Sequence, residues 1–509
     1  MRYFVLIFFL LLTGIGAAQY HDASWIVSPS FNSLSTNTLI QFLPGGSSPV
    51  ITSTAGTIPF NYTNASISDE QGNFLFFTNG IEIYDRNLQV LAGGLVQTPY
   101  TILYASQGLN RPQNYIFLPW PGDSNKYILF YCAPELQQVS SGPCAGGWGW
   151  LSTHLYYTVL DKSLNGGNGG IVSASNVALI DTLVHANGLA VTKHANGRDW
   201  WIVVKERCSS NYNIVLFTPS GVQLLFTQSI GPVFSSSLDA AISRFSPDGT
   251  IYALIRDDYN TIYYKFDRCT GFLSDPLLVN SGSIGDGYLE FSPDSRFVYR
   301  SSGSGGGMTS QYDLSLYYQP SGVQNSRLFV DPPVPDTSDC GFGIPGSANA
   351  ACFPTLAPNG KIYWGHCYSC NLSIINYPDS LDTLCAMEYN TVLLPMPHSG
   401  CLPYFAHYRL GPVTGSICDS LTSIHELKSD EVSLYPNPAK DHITLQSKRS
   451  LSNAVITLMN VQGQVLFNRQ TATGTGFEVE LPRDMGNGIY FLRIHSTEGV
   501  VSKKLVVQR

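Results

Sequence analysis

His366-Cys367-Tyr368-Ser369-Cys370 is the stretch of this chain best equipped for metal or redox chemistry. A Cys-x-x-Cys pair can chelate zinc or shuttle electrons, and an adjacent histidine can lower a thiol pKa. Zinc needs a second close pair of ligands, and Cys385 and Cys401 each stand alone. Structural disulfides are the expectation here, with no metal and no cofactor. Gly341-Phe342-Gly343-Ile344-Pro345-Gly346 spells the dinucleotide fingerprint, but Pro345 and the flanking Cys340 and Cys352 describe a disulfide-framed loop. Pyrophosphate binding needs a strand, a tight turn and a helix N-terminus instead. Hydrolysis needs a nucleophile with a base and an orienter, or two opposed carboxylates. The chain lacks both Gly-x-Ser-x-Gly and His-Glu-x-x-His. His194 reads as a solvated turn residue, and the adjacent carboxylates of Asp257-Asp258 point to opposite faces of a strand end. No catalytic residue is assigned. The aromatics are more suggestive. Trp148 and Trp150 fall in a Gly-rich loop after Cys144 and are the candidate ligand contacts, because exposed indole faces stack on sugar rings. Trp200-Trp201 follows a turn and reads as core.

The elements that must position these residues are short strands. The charged fraction is 13%, about half the usual ~25%, while glycine, proline, tyrosine and phenylalanine abound. That composition favours β-strands and tight turns over helices. One pattern recurs at irregular spacing: Phe245-Ser246-Pro247-Asp248-Gly249-Thr250-Ile251-Tyr252, then Phe291-Ser292-Pro293-Asp294-Ser295, then Leu356-Ala357-Pro358-Asn359-Gly360. Looser copies surround Asp69 to Phe76 and His194 to Trp201. Each is a strand, a tight turn and a second strand. Hairpins recurring every ~40–50 residues are the signature of propeller blades. The ~390 residues available give six to eight such blades, and about seven are expected. A pair of β-sandwiches or a β-helix is the second architecture. Gly72 to Asp85 resembles the first-blade segment of propeller-like surface proteins in the phylum Bacteroidota, and the Ser-Pro-Asp-Gly copies resemble those of Tol-type and WD-type propellers.

Net charge −8 excludes a nucleic-acid partner, which demands clustered Lys and Arg. All eleven cysteines lie between Cys132 and Cys418. In an exported chain they read as disulfides, with Cys132–Cys144 and Cys340–Cys352 as candidate staples and at least one thiol left over or paired with another molecule. Export itself is read from residues 1–18: Arg2, an apolar run from Tyr3 to Leu12, and small residues at Gly16-Ala17-Ala18. This is a secretory signal peptide, cut between Ala18 and Gln19. The apolar run is short of the ~20 residues that cross a bilayer, so no transmembrane span is expected in the mature chain.

The last eighty or so residues carry four landmarks in order: Tyr435-Pro436-Asn437-Pro438, a turn at Gly463, Gly488-Ile489-Tyr490, and a basic final strand with Lys503-Lys504. This arrangement resembles the type A C-terminal sorting domain of type IX secretion cargo in Bacteroidota. The resemblance implies a small immunoglobulin-like sandwich over residues 430–509, recognised by the type IX secretion and sortase machinery. It also implies passage through the periplasm to the outer-membrane surface or the medium. A polar linker, 412–429, precedes it, and its Asp419-Ser420-Leu421 resembles the O-glycosylation sequon of that phylum.

The expectation is an all-β protein: signal peptide, propeller over 19–411, linker, and sorting sandwich. The propeller is expected to bind glycan or protein ligands. The alternative is a propeller hydrolase or lyase whose catalytic residues are dispersed over several blades. An axis plugged by apolar side chains favours the first, and a cluster of carboxylates and histidine in an open channel favours the second.

Overall fold

The computed structural model describes residues 19–509 except 29–35, 57, 97–98, 105, 112, 133, 139–147, 173–175, 234–241, 256–259, 281–285, 303–308, 332–350, 367–368, 400–401, 417, 420–431, 452–453, 461–464, 472, 484 and 497–498. Seven antiparallel sheets of three or more strands follow one another among the described residues up to His398, with a two-stranded ribbon, Pro134–Gln138 and Trp148–Ser152, beside the third. The first holds Ser24–Val27, Thr36–Gln41 and Val50–Ala55; the second Ala65–Ser68, Phe74–Thr78, Glu82–Asp85 and Val90–Leu95. The third is built on Tyr115–Pro119, Lys126–Tyr131 and His154–Asp161, with Gly170–Ile171 and Val177–Asp181 at its edge. The fourth runs from Val184–Lys193 to Gly221–Ser229, the fifth from Ile242–Phe245 to Leu273–Val279. The sixth runs from Asp286–Phe291 to Leu328–Phe329, and the seventh from Ala351–Leu356 to Met387–His398.

Because the sheets are meanders, the third with two segments on its last edge, the first strand of each is free to sit beside the first strand of the next. Val184–Lys193 lies against Ile242–Phe245, that strand against Asp286–Phe291, and that one against Ala351–Leu356. The faces between sheets are dry. Trp201, Ile214, Tyr252 and Tyr264 fill the gap between the fourth and fifth, and Phe297, Tyr299, Trp364 and Ile375 that between the sixth and seventh. Thr36–Gln41 and Val50–Ala55 of the first sheet pack on Met387–His398 of the seventh, which closes the ring. Sheets stacked this way around an axis form a propeller.

The repeated turns are built as their residue types require. Asp248 accepts from Ser246 Oγ (2.5 Å), Thr250 N (2.9 Å) and Thr250 Oγ1. Asp294 accepts from Ser292 Oγ and Arg296 N in the same way, and Asp69 from the amides of Gln71 and Asn73. Gly249 adopts φ +72°, and a Cβ there would stand 2.5 Å from Thr192 Oγ1 and 2.9 Å from Arg268 Cδ, so only glycine fits.

Past His398 the chain folds back into the ring. Ser399 N donates to Ser28 O at one end of Ser24–Val27, and at the other Arg409 makes a bidentate pair with Asp22 (2.7 and 2.6 Å). Between them Phe405 stacks on Trp25 with centroids 5.9 Å apart. The segment thus runs antiparallel to the first sheet's inner strand. Beyond it, Val413 N bonds Ala195 O, and a Cys269–Cys418 disulfide ties the start of the linker to the fifth sheet. The candidate Cys132–Cys144 staple is not formed, because Cys132 is a free thiol buried in the main core. Cys385 is also free, while Cys208 and Cys370 are each disulfide-bonded.

Residues 432–509 fold separately into two sheets. One orders Val432–Tyr435, His442–Leu451 and Gly474–Glu480; the other orders Val465–Gln470, Val455–Asn460, Gly488–Ser496 and Gly499–Val507. Alternate residues of both, including Ile443, Leu445, Ile456, Leu458, Leu492, Ile494 and Leu505, share one core.

Replacing Asp248 by alanine strands the turn amide and two hydroxyls it serves. The expected cost is about 1–2 kcal/mol, read as a lower urea midpoint with an unchanged slope.

Candidate functional site

The axis of the ring is where a propeller enzyme would gather its chemistry, and here it is filled. Leu402, Tyr404, Phe405, Ala406 and Tyr408 join the core between the seventh and first sheets to that between the third and fourth. Their polar atoms reach the first strands around the ring. Tyr408 Oη donates to Phe117 O (2.7 Å), Thr355 Oγ1 to Pro403 O (3.2 Å), and His407 Nε2 lies 3.1 Å from Phe245 O. At one end Phe353 packs with Ile242 and Tyr288 of the neighbouring sheets and with Tyr62 of the loop before the second sheet.

One ion pair is enclosed in this plug. Arg244 Nη1 stands 3.6 Å from Glu290 Oε2, with side chains 5% and 2% exposed. Arg244 also donates to Pro354 O (2.9 Å), faces the Tyr404 ring at 4.5 Å, and stands 3.0 Å from the Gln113 carboxamide, which turned by 180° accepts from Nη2 and Nε. Glu290 accepts from the amides of Phe291 and Leu356. Burial pushes the Glu290 carboxyl upward while Arg244 pulls it down; burial pushes the Tyr404 phenol up to about 12. Every strong group has a partner, so the pair welds sheets together and presents nothing to a substrate.

A more exposed polar group sits on the third sheet. His154 Nε2 is 2.8 Å from Asp181 Oδ1, whose side chain is 89% exposed. On the other ring nitrogen, Thr153 Oγ1 lies at 2.6 Å and Tyr156 Oη at 3.0 Å. Tyr156 Oη donates in turn to Glu135 Oε1 (2.6 Å). A hydroxyl, an imidazole and a carboxylate in line are the parts of an acyl-transfer relay. Sequence reading missed it, because Glu135, His154 and Asp181 come from three strands and match no local motif.

The residues singled out from sequence are dispersed. His366 is wholly buried, its Nε2 2.6 Å from Ser373 Oγ, and Cys367 lies outside the described residues. Among the described residues no cluster of three metal-ligating side chains exists. His194 is a correction: it is buried and packs on Trp201 at 5.3 Å, because the turn folds inward over that indole. Trp200 and Trp201 are core residues. Trp148 and Trp150 belong to a strand, Trp148–Ser152, which pairs with Pro134–Gln138, rather than to a loop; their side chains lie outside the described residues. So do Ala18, Asp257, Asp258, the segment 341–346 and Gly463. Gln19 Oε1 accepts from Lys193 Nζ at 2.7 Å.

In the C-terminal unit, Asn437 donates to Lys504 O (2.9 Å) and accepts from Val506 N (2.8 Å), joining the Tyr435–Pro438 segment to the final strand. Tyr435 is exposed. Gly488 opens the strand that pairs with the last one, and Tyr490 Oη bonds Gly486 O. Lys504 faces solvent and Lys503 is half-buried.

Residues 433–508 match the family model described as the secretion system C-terminal sorting domain. The match supports a type IX secretion route to the cell surface or extracellular space. Among the described residues no helix is long and apolar enough to cross a membrane. No curated protein matches the chain. Similar solved structures include a protein from Bacteroides fragilis NCTC 9343 described as a 6-phosphogluconolactonase, at 11% identity and TM-score 0.42, covering 75% of this chain and 97% of that one. The periplasmic gluconolactonase of Pseudomonas aeruginosa matches at 11% identity and TM-score 0.37, covering 75% and 99%. The Cps50 (Swd1) propeller domain of Myceliophteria thermophila matches at 7% and 0.37, covering 68% and 94%. The propeller assignment rests on the sheet order above.

Burial lowers the pKa of His21, His194, His366 and His398 from 6.5 to about 4. Between those values the unfolded chain binds more protons than the folded one, so stability falls as pH drops through that window. The thermal midpoint should be level above about pH 7 and decline from about pH 6.5 to 4. A midpoint that rises on acidification there would contradict the neutral burial of these rings.

Proposed function

We propose that this chain is an exported binding protein, a seven-bladed propeller that takes up a glycan or protein ligand on its outer surface. The observation that carries this reading is the filled axis. Residues 402–408 occupy the space in which a propeller enzyme would hold substrate, and the Arg244–Glu290 pair within it is already satisfied. The seven consecutive sheets support the blade count. In this reading residues 1–18 are removed between Ala18 and Gln19, and the mature terminus stays on the propeller through the Lys193 contact. Residues 430–509 form a type A, immunoglobulin-like sorting sandwich of the kind used in Bacteroidota. Tyr435, Pro436, Asn437 and Pro438 open it, Gly463, Gly488 and Tyr490 shape its turns and strands, and Lys503 and Lys504 mark its terminal strand for the secretion and sortase machinery. Trp148 and Trp150, on the ribbon beside the third sheet, are candidate ligand contacts.

A second reading, hydrolysis, is favoured by the Thr153–His154–Asp181 alignment alone. The two are separated by incubating purified residues 19–419, which keeps the Cys269–Cys418 bridge, with polysaccharides and peptides. Retention without new products, unaltered in His154→Ala, is expected. Products that vanish in His154→Ala would make the protein an enzyme.

The export route predicts that a chain lacking 430–509 accumulates in the periplasm with its propeller folded. Normal surface delivery of that truncation, measured by protease accessibility on intact cells, would refute the address.

A further inference from the structure

A cavity of about 450 Å³ opens between the first and second sheets, lined by Leu39, Gln41, Phe42, Leu43, Pro44, Gln71, Gly72, Asn73, Phe74, Arg86 and Asn87. Its volume falls within the ~300–1,000 Å³ typical of small-ligand sites. Three turns build it: the one after Thr36–Gln41, the Asp69 turn, and the turn after Glu82–Asp85. Phe42 and Phe74 form a buried floor, and Leu43, 56% exposed, forms an apolar lip.

The rim chemistry is unusual for so acidic a chain. Four carboxamides and one guanidinium line the cavity, and no carboxylate does. The turns do contain acids: Asp69 and Asp85 are turned inward, while Glu70 is half-exposed but does not line the cavity. Asp69 accepts from Gln71 N, Asn73 N and Asn73 Nδ2, and Asp85 from Asn87 N and Gln89 N. The rim therefore shows only neutral amides and Arg86. Arg86 is braced from the third sheet: its Nη2 donates to Gly167 O (2.6 Å), and the neighbouring Asn87 Nδ2 to Asn168 Oδ1 (3.1 Å). Among the described residues one bond of the five is spent on positioning, which leaves the rest of the fork for a ligand.

We propose that this cavity binds a uronic-acid unit of an acidic polysaccharide, which deepens the binding-protein reading and rests on it. Carboxamides offer a donor and an acceptor side by side, as vicinal hydroxyls require. The Phe and Leu surface suits the C–H face of a pyranose ring. A single pre-oriented guanidinium matches a single carboxylate bidentately. A phosphate or sulfate cluster would call for several cations, and the cavity has one.

The test is calorimetric titration of the whole exported chain with oligogalacturonate and with the matched neutral galactose oligomer. Binding of the uronate and at least tenfold weaker binding of the neutral oligomer are expected. Arg86→Gln should weaken uronate binding at least tenfold, and Leu43→Glu, which places a like charge on the lip without touching Arg86, should do the same. Both positions are exposed, and circular dichroism confirms that the variants fold. Uronate binding unchanged in both variants would overturn the site while leaving the binding-protein reading in place, with its contacts elsewhere. Equal affinity for both oligomers would overturn the charge assignment. If neither these oligomers nor any member of the polysaccharide and peptide panel is retained, the broader reading falls with the site.

Discussion

A ring of sheets leaves two open edges unless its first and last members are made to meet, and an open edge is both unstable and sticky. In this chain the first sheet has three strands where most of the others have four. The segment after His398 lies along that sheet's inner strand, from Ser28 at one end to Asp22 at the other. The closure therefore joins the two ends of the propeller sequence. It is held by the Trp25–Phe405 stack and the Asp22–Arg409 fork. A charge-assisted bidentate pair contributes about 1.5–3 kcal/mol where it is shielded from water, and the Asp22 side of this one is 4% exposed. The packing of all seven sheets rests on that closure.

The segment that closes the ring also fills it, and this constrains where function can lie. Tyr404, Phe405 and Tyr408 belong to the buried core that links the first, third, fourth and seventh sheets. Arg244 and Glu290 are held there at a desolvation cost that only complete hydrogen bonding offsets, and each is met by backbone or amide partners. Their arrangement fixes the register of the tail, since Tyr404 must lie over the guanidinium.

Much of this was legible in the sequence, for local reasons. Asp248, Asp294 and Asp69 announce their turns because a short carboxylate can reach only its own neighbouring amides, and alternation after each turn announces the strand. The closing segment was illegible. Leu402 to Tyr408 has no alternating pattern, since it is surrounded on every side, and it read simply as the end of the propeller. His194 looked solvated because turns usually are, and nothing local shows that Trp201 lies beneath it. Cys132 looked available for a staple because spacing says nothing about burial. The His154 relay and the Arg86 cavity escaped for one reason: each is assembled from separate strands or turns, which only register brings together.

The C-terminal unit shows the opposite case, in which landmarks far apart in sequence prove to be one device. Pro436 and Pro438 cannot donate to a ladder, so the chain at 435–438 cannot run as an ordinary strand. Asn437, between them, supplies the pairing from its side chain, meeting Lys504 O across 67 residues and Val506 N across 69. Ala439 then continues the contact by a backbone bond to Val506 O. The Tyr-Pro-Asn-Pro segment and the basic final strand therefore fold as a unit, and a change at Asn437 disturbs both. Lys504 differs. It points to solvent from a strand held by its backbone, so its charge can be removed while the fold stands.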